Sequence, residues 1–181
     1  MNFARSFYRT RQFLNALWAE PEAEDLQEIS AVLSPPQLAL FKRMQLSEQA
    51  HSLSIYKQLR SQEKNSASDL LVAALLHDVG KSRYPLHIWE RVWIVLAQGL
   101  FPGWADRVGK AAGLEGKRAW WQRPLIVASQ HAQWGADLAE EAGISPLAVN
   151  LIRRHQNFST SKIVTLEDRL LRMLQAADGS S

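Results

Sequence analysis

Asp69-Leu70-Leu71-Val72-Ala73-Ala74-Leu75-Leu76-His77-Asp78-Val79-Gly80-Lys81 decides how this chain folds. Leu70 to Leu76 are seven consecutive apolar residues, so a helix here has no polar side and must be enclosed by the rest of the molecule. It runs straight into His77-Asp78. An aspartate carried into an interior is costly unless it is paired or ligated, so something positive is expected beside Asp78.

Outward from this segment, helix start and stop signals recur, while strand-type alternation is scarce. Ser66-Ala67-Ser68-Asp69 reads as a capping box that opens a helix from Asp69 to Val79, closed by Gly80. Upstream, a helix from about Ser47 to Leu59 carries Leu46, Ala50, Leu53 and Tyr56 on its buried stripe, and Ser34-Pro35-Pro36 starts another. Phe3 to Trp18 forms an N-terminal helix with Phe3, Phe7, Leu14 and Trp18 on one side. Its Arg5, Arg9 and Arg11 are followed at once by the acidic run Glu20 to Glu28, which favours an ordinary packed helix over a targeting or lipid-surface one. Downstream, Pro85 opens a helix through about Ala97, and Pro124 to Ala142 form the next, stopped by Gly143. Ser145-Pro146 begins one that reaches His155, and the capping box Thr165-Leu166-Glu167-Asp168 introduces the last, to about Asp178. The expected fold class is all-α, a compact irregular helical bundle of residues 34–181 with residues 1–33 as a helical extension packed on it.

Composition narrows the function. A chain of 181 residues fits one domain, and 46% hydrophobic with 22% charged residues is a soluble, globular profile. The net charge of +3, from 21 basic and 18 acidic residues, is too small to imply a stable nucleic-acid complex. With no cysteine, disulfides, thiolate zinc sites and cysteine nucleophiles are excluded, and any metal must be held by His, Asp and Glu. The first ten residues lack the apolar core of a signal peptide. Val92 to Trp104 is too short to span a bilayer and contains Gly99 and Pro102. A cytoplasmic protein without membrane association is the expectation.

Four of the five histidines fall on inward positions. His51 lies four residues before Ile55, at the border of its helix's apolar stripe. His131 belongs to Val127, His131, Trp134 and Leu138, spaced as one helix face, and His155 extends Ala148, Leu151 and Ile152 by the same rule. Asp178 follows Leu170, Leu171 and Leu174 on one face. His87 breaks the pattern, sitting beside Glu90 and Arg91 and off the stripe Trp89, Val92, Trp93, Leu96. A single histidine on an apolar face is usually a satisfied core residue, but four with two aspartates in one small core form a mixed nitrogen and oxygen donor set. Such a set suits Mn²⁺, Fe²⁺, Co²⁺, Ni²⁺ or Zn²⁺, and Mg²⁺ with fewer histidines.

The order His51, His77-Asp78, Asp178 resembles the H…HD…D signature of the HD superfamily of metal-dependent phosphohydrolases. His77-Asp78-Val79-Gly80-Lys81 is similar to the HDIG form of that signature, with Val for Ile. Gln49-Ala50-His51-Ser52-Leu53 and Leu174-Gln175-Ala176-Ala177-Asp178 resemble the segments around the family's first histidine and last aspartate. The resemblance implies that His51, His77, Asp78 and Asp178 ligate one divalent metal, with Asp78 able to bridge to a second. It matches His131 and His155 to the additional histidines of a two-metal branch that includes HD-GYP cyclic dinucleotide phosphodiesterases and dinucleoside tetraphosphate hydrolases. The match to HD-GYP stops at Arg154-His155-Gln156-Asn157-Phe158, which lacks a second adjacent histidine, and no GYP triplet follows. A cyclic-di-GMP activity is therefore not expected.

The implied activity is hydrolysis of a phosphoester, of a nucleotide or related small phosphorylated compound, by metal-activated hydroxide. Asp78 and Lys81 are the catalytic candidates, Lys81 as a point charge on a substrate phosphate. The alternative is an HD-fold signalling or binding module without significant turnover, which the intact ligand positions argue against. Six of the seven tryptophans lie between Trp89 and Trp134. They read as core packing or a homodimer face rather than a platform for a nucleobase.

Overall fold

Leu70, Ala73, Ala74, Leu75 and Leu76 are wholly buried, as an all-apolar helix requires. The structure is a computed structural model that describes residues 21–62, 67–111, 119–157 and 164–179. The expected helix Phe3 to Trp18 lies outside the described residues. In chain order the elements are α1 (Ala23–Ser30), α2 (Pro35–Arg43), α3 (Leu46–Gln62), α4 (Ser68–Leu76), a 3₁₀ turn (Val79–Arg83), α5 (Ile88–Leu100), α6 (Pro102–Lys110), α7 (Gln122–Glu141), α8 (Pro146–Arg154) and α9 (Leu166–Asp178). Among the described residues there is no strand, so the chain is an all-α bundle.

The main core surrounds α4, with α3, α8 and α9 packed against it. Ile29 and Leu33 bring α1 and the following turn into the same core. A smaller cluster joins α5, α6 and α7 through Ala97, Ala105 and Leu125, backed by Trp93, Ile94 and Val108. No helix among the described residues is long and apolar enough to cross a membrane.

The ends of the elements depart from expectation where tertiary contacts override local signals. Ala67, not Ser66, is the N-cap residue of α4, and the Asp69 carboxylate accepts a hydrogen bond from the Ser145 hydroxyl at the start of α8 instead of closing a box. Nor does Gly80 close the helix. The α-helix stops at Leu76 and the chain tightens into the 3₁₀ turn, because this turn lies directly on the backbone of α7. A Cβ on Gly80 would stand 1.9 Å from the His131 carbonyl oxygen, a place only glycine can occupy. Of the expected stripe on α3, Leu53 and Tyr56 are buried but Leu46 is 48% exposed, and the buried face also takes in Glu48, Ser52, Ile55 and Leu59. Pro85 leads into α5 through an extended segment, and the helix starts three residues later, at Ile88, with His87 as N-cap. Glu90 lies 1% exposed and accepts from the His87 backbone N–H at 2.8 Å, which fixes that start. Gly143, at φ 71°, ends α7 in the left-handed conformation. The Thr165 box forms as expected, with the Asp168 N–H donating to Thr165 Oγ1 at 3.1 Å.

Candidate metal centre

Five elements deliver polar side chains to one place. The end of α4 supplies His77 and Asp78, the middle of α7 His131, and the end of α8 His155. His51 comes from α3, and Asp178 is the last residue of α9. His77, Asp78, His131 and His155 are 1%, 4%, 1% and 2% exposed, whereas the His51 and Asp178 side chains are about a quarter open, at 26% and 28%.

The three buried imidazoles are held alike. Nδ1 of His77 lies 3.0 Å from the Ala74 carbonyl, that of His131 3.1 Å from Val127, and that of His155 2.7 Å from Ile152. A carbonyl only accepts, so each Nδ1 carries a proton, and in a neutral ring Nε2 is then the nitrogen with the free lone pair. Those lone pairs converge on carboxylate oxygens. His131 Nε2 is 3.2 Å and His155 Nε2 4.0 Å from Asp78 Oδ1. His77 Nε2 is 3.6 Å from Asp78 Oδ2 and 3.8 Å from Asp178 Oδ1. His51 Nε2 approaches Asp178 Oδ1 at 3.0 Å.

Acceptor facing acceptor in a buried space is repulsive unless a cation lies between. His77 Nε2 and His131 Nε2 are indeed buried without any hydrogen-bond partner. The donor atoms fall into two groups, each with atoms within 4.8 Å of one another: His51, His77, Asp178, and Asp78, His131, His155. The two oxygens of Asp78 face different groups. Neutral imidazoles locked by backbone carbonyls, with carboxylates alongside, fit one or two divalent ions. All six residues expected as ligands are thus brought together, while His87 caps α5 away from them.

The electrostatics follow from this crowding. Burial pushes His77 down, only partly offset by Asp78 and Asp178. Burial, reinforced by His77 and His131, pushes His155 down to about 3. For Asp78, burial acts to raise the carboxyl, but the Lys81 ammonium, His77 and His131 outweigh it and hold it well below the usual range. Asp178 is likewise lowered, since the His51 hydrogen bond and His77 overcome its burial. Lys81 Nζ is 2.6 Å from Asp78 Oδ2, and although burial works against its charge, Asp78 and Glu48 raise it.

Two further charged residues border the site that the periodicity of the sequence did not bring forward. The Arg91 Nη2 donates to Glu48 Oε1 at 2.9 Å and also to Gln45 Oε1. Glu48 Oε2 accepts from the Gln45 backbone N–H at 3.2 Å. Burial raises the Glu48 carboxyl, opposed by Lys81 and Arg91. Glu48, Lys81, Arg91 and His131 line a common cavity of about 240 Å³. Among the described residues no tryptophan lines it. Trp104 stacks on Trp121 with ring centres 5.4 Å apart, and Trp93 Nε1 donates to the Trp121 carbonyl at 2.9 Å, so these three rings pack the α5–α7 region.

The model of the HD domain family matches residues 49–178, over two thirds of the chain. No curated protein and no solved structure matches. The matched segment contains all six convergent residues, and its helices are those that carry them: this chain belongs to the HD domain family.

Proposed function

We propose that the protein is a metal-dependent phosphohydrolase that cleaves a phosphoester of a nucleotide or related small phosphorylated compound. The observation that carries this reading is the pair of orphaned, buried Nε2 atoms of His77 and His131 aimed at the oxygens of Asp78. His51, His77 and Asp178 would hold one ion and His131 and His155 a second, with Asp78, whose two oxygens face different groups, as a ligand available to either. A divalent ion bound there supplies hydroxide at neutral pH, by lowering the pKa of water from about 15.7 to about 7, and positive charge against the phosphoryl oxygens.

The chain's own groups do the rest. The Nδ1 hydrogen bonds fix the orientation of three imidazoles, so little reorganisation is needed when charge develops. Lys81, with a quarter of its side chain open, reaches from Asp78 to the cavity and meets a phosphoryl oxygen there.

Elemental analysis after loading with Mn²⁺, Fe²⁺, Co²⁺, Ni²⁺, Zn²⁺ or Mg²⁺, followed by a phosphoester panel, tests this reading. The wild type binds two ions and hydrolyses at least one ester; His131→Ala and His155→Ala each keep one ion and lose most activity. One ion in the wild type, or full activity in both variants, makes those histidines structural. No bound metal under any loading overturns the reading altogether.

A further inference from the structure

The cavity beside the metal groups is a cleft open to solvent along Val95 and Gln98. Helix α5 faces it with Arg91, Ile94, Val95 and Gln98, the spacing of one helix side. Leu86 and Ala128 complete an apolar wall with Ile94 and Val95. The charged end is made by Lys81 and Arg91, with Glu48 near both: it bonds Arg91 directly and supports the charge of Lys81.

The Glu48–Arg91 pair is nearly enclosed, with side chains 3% and 14% exposed. A pair so buried is a poor source of stability, since apolar residues of like volume commonly serve as well or better. It does fix a guanidinium. Both hydrogen bonds that Arg91 makes among the described residues use Nη2, and they leave Nε and Nη1 for a ligand in the cavity. A planar guanidinium oriented from behind is suited to the paired oxygens of a phosphoryl group.

Charge decides which phosphoester fits. The cavity offers two cations, Lys81 and Arg91; Glu48 bonds Arg91, and Asp78, which meets Lys81 at 2.6 Å, is shared with the metal groups and so does not count against the cavity alone. A phosphomonoester carries close to two negative charges at neutral pH, its second pKa being about 6. A diester carries one, together with a second organic arm. We propose that the site selects phosphomonoesters, with the dianionic phosphoryl group held between Lys81 and Arg91 and its single organic group on the wall of Leu86, Ile94, Val95 and Ala128. This rests on the hydrolase reading above. Arg91 touches the phosphoryl oxygens, and Glu48 and Gln45 are positioning residues for it. Water adds to phosphorus, the bond from phosphorus to the ester oxygen breaks, and the alcohol leaves with a proton, releasing inorganic phosphate.

The test compares p-nitrophenyl phosphate with methyl p-nitrophenyl phosphate, which share a leaving group but differ by one charge, on the metal-loaded full chain. The wild type shows the higher kcat/KM on the monoester. Arg91→Met combined with Glu48→Gln removes the pair at nearly constant volume, and it lowers the monoester-to-diester ratio by about 10- to 100-fold, the worth of one charge-assisted hydrogen bond. Thermal unfolding and metal content confirm that this variant is folded and loaded. Arg91→Lys keeps the charge without the fork and lowers the ratio by a smaller factor, about threefold or more; it decides the matter if the double variant does not fold. Hydrolysis of neither ester by any metal form defeats the hydrolase reading, and this inference with it. Hydrolysis without preference for the monoester, or a ratio unchanged in the folded variants, leaves the hydrolase reading standing and overturns this one.

Discussion

His77, His131 and His155 each give the Nδ1 proton to a carbonyl three or four residues back on the same helix, so their free nitrogens all aim at Asp78. His87 serves differently, as the surface N-cap of α5, where Glu90 binds its backbone N–H. His87→Ala is therefore expected to retain the full metal content while His77→Ala loses at least one ion, as elemental analysis of the two proteins reads directly; equal loss would place His87 in the site. Gly80 is the residue with least freedom. Gly80→Ala places a methyl 1.9 Å from the His131 carbonyl and forces the 3₁₀ turn off α7, with an expected cost of about 1–3 kcal/mol in urea unfolding and weaker metal retention. The inward positions of the histidines, Asp78 and Asp178 were legible because a polar residue on an apolar stripe stands out. Glu48 satisfied the same criterion, on a stripe with Ser52, Ile55 and Leu59, but Ser52 breaks the apolar run and hides it. Arg91 gave no such signal, since next to Glu90 it reads as one more solvated charge.

Helix α5 shows where periodicity misleads. The stripe Trp89, Val92, Trp93, Leu96 marks an inward face by hydrophobicity, yet Trp89, Val92 and Leu96 are 49%, 47% and 50% exposed. The side that turns inward carries Glu90 and Ala97, with Trp93 and Ile94 half-buried beside them. What orients the helix is polar: the Glu90 carboxylate binds Arg123 of α7, and Arg123 Nη2 donates to the Pro85 carbonyl at 2.9 Å. A peripheral helix anchored by a buried ion pair need not bury its most apolar face, and nothing local in the sequence reports the partner 33 residues away. Glu90→Ala is expected to cost about 2 kcal/mol, less than a fully enclosed pair because Arg123 remains 34% exposed to water. Urea unfolding measures this loss. Metal content should be unchanged, since α5 carries none of the ligands; a parallel loss of metal would tie α5 to the centre itself.

At the scale of the whole molecule, the all-α class was legible from the recurrence of helix signals and a shared polar core from the inward stripes, whereas the division of the ligands between two groups was implied only by the resemblance. That shared core makes stability depend on both metal and pH. Without metal, His77 and His155 are buried neutral with pKa values below their ordinary value of 6.5, His155 at about 3. In the unfolded chain both titrate near about 6.5, so as pH falls below that value the unfolded state takes up protons that the folded state refuses. Stability from this source is whole above about pH 6.5 and declines steadily below it, by about 2–3 kcal/mol for two such imidazoles between pH 7.5 and 5.5. Asp78 and Asp178, held below their usual value of 3.8, act in the same direction but only in stronger acid, where the unfolded carboxylates protonate first. A divalent ion at about 100 times its Kd adds about 2.7 kcal/mol, and because it binds neutral imidazoles it too is lost in acid. Urea unfolding of chelator-treated protein at pH 7.5, 6.5 and 5.5 should show a midpoint that falls mainly across the last step. The same series with saturating metal should start higher and fall further. A flat profile in the chelated protein would mean that the imidazoles leave the interior when the ion does, and that the centre is assembled by metal rather than built in advance by the helices.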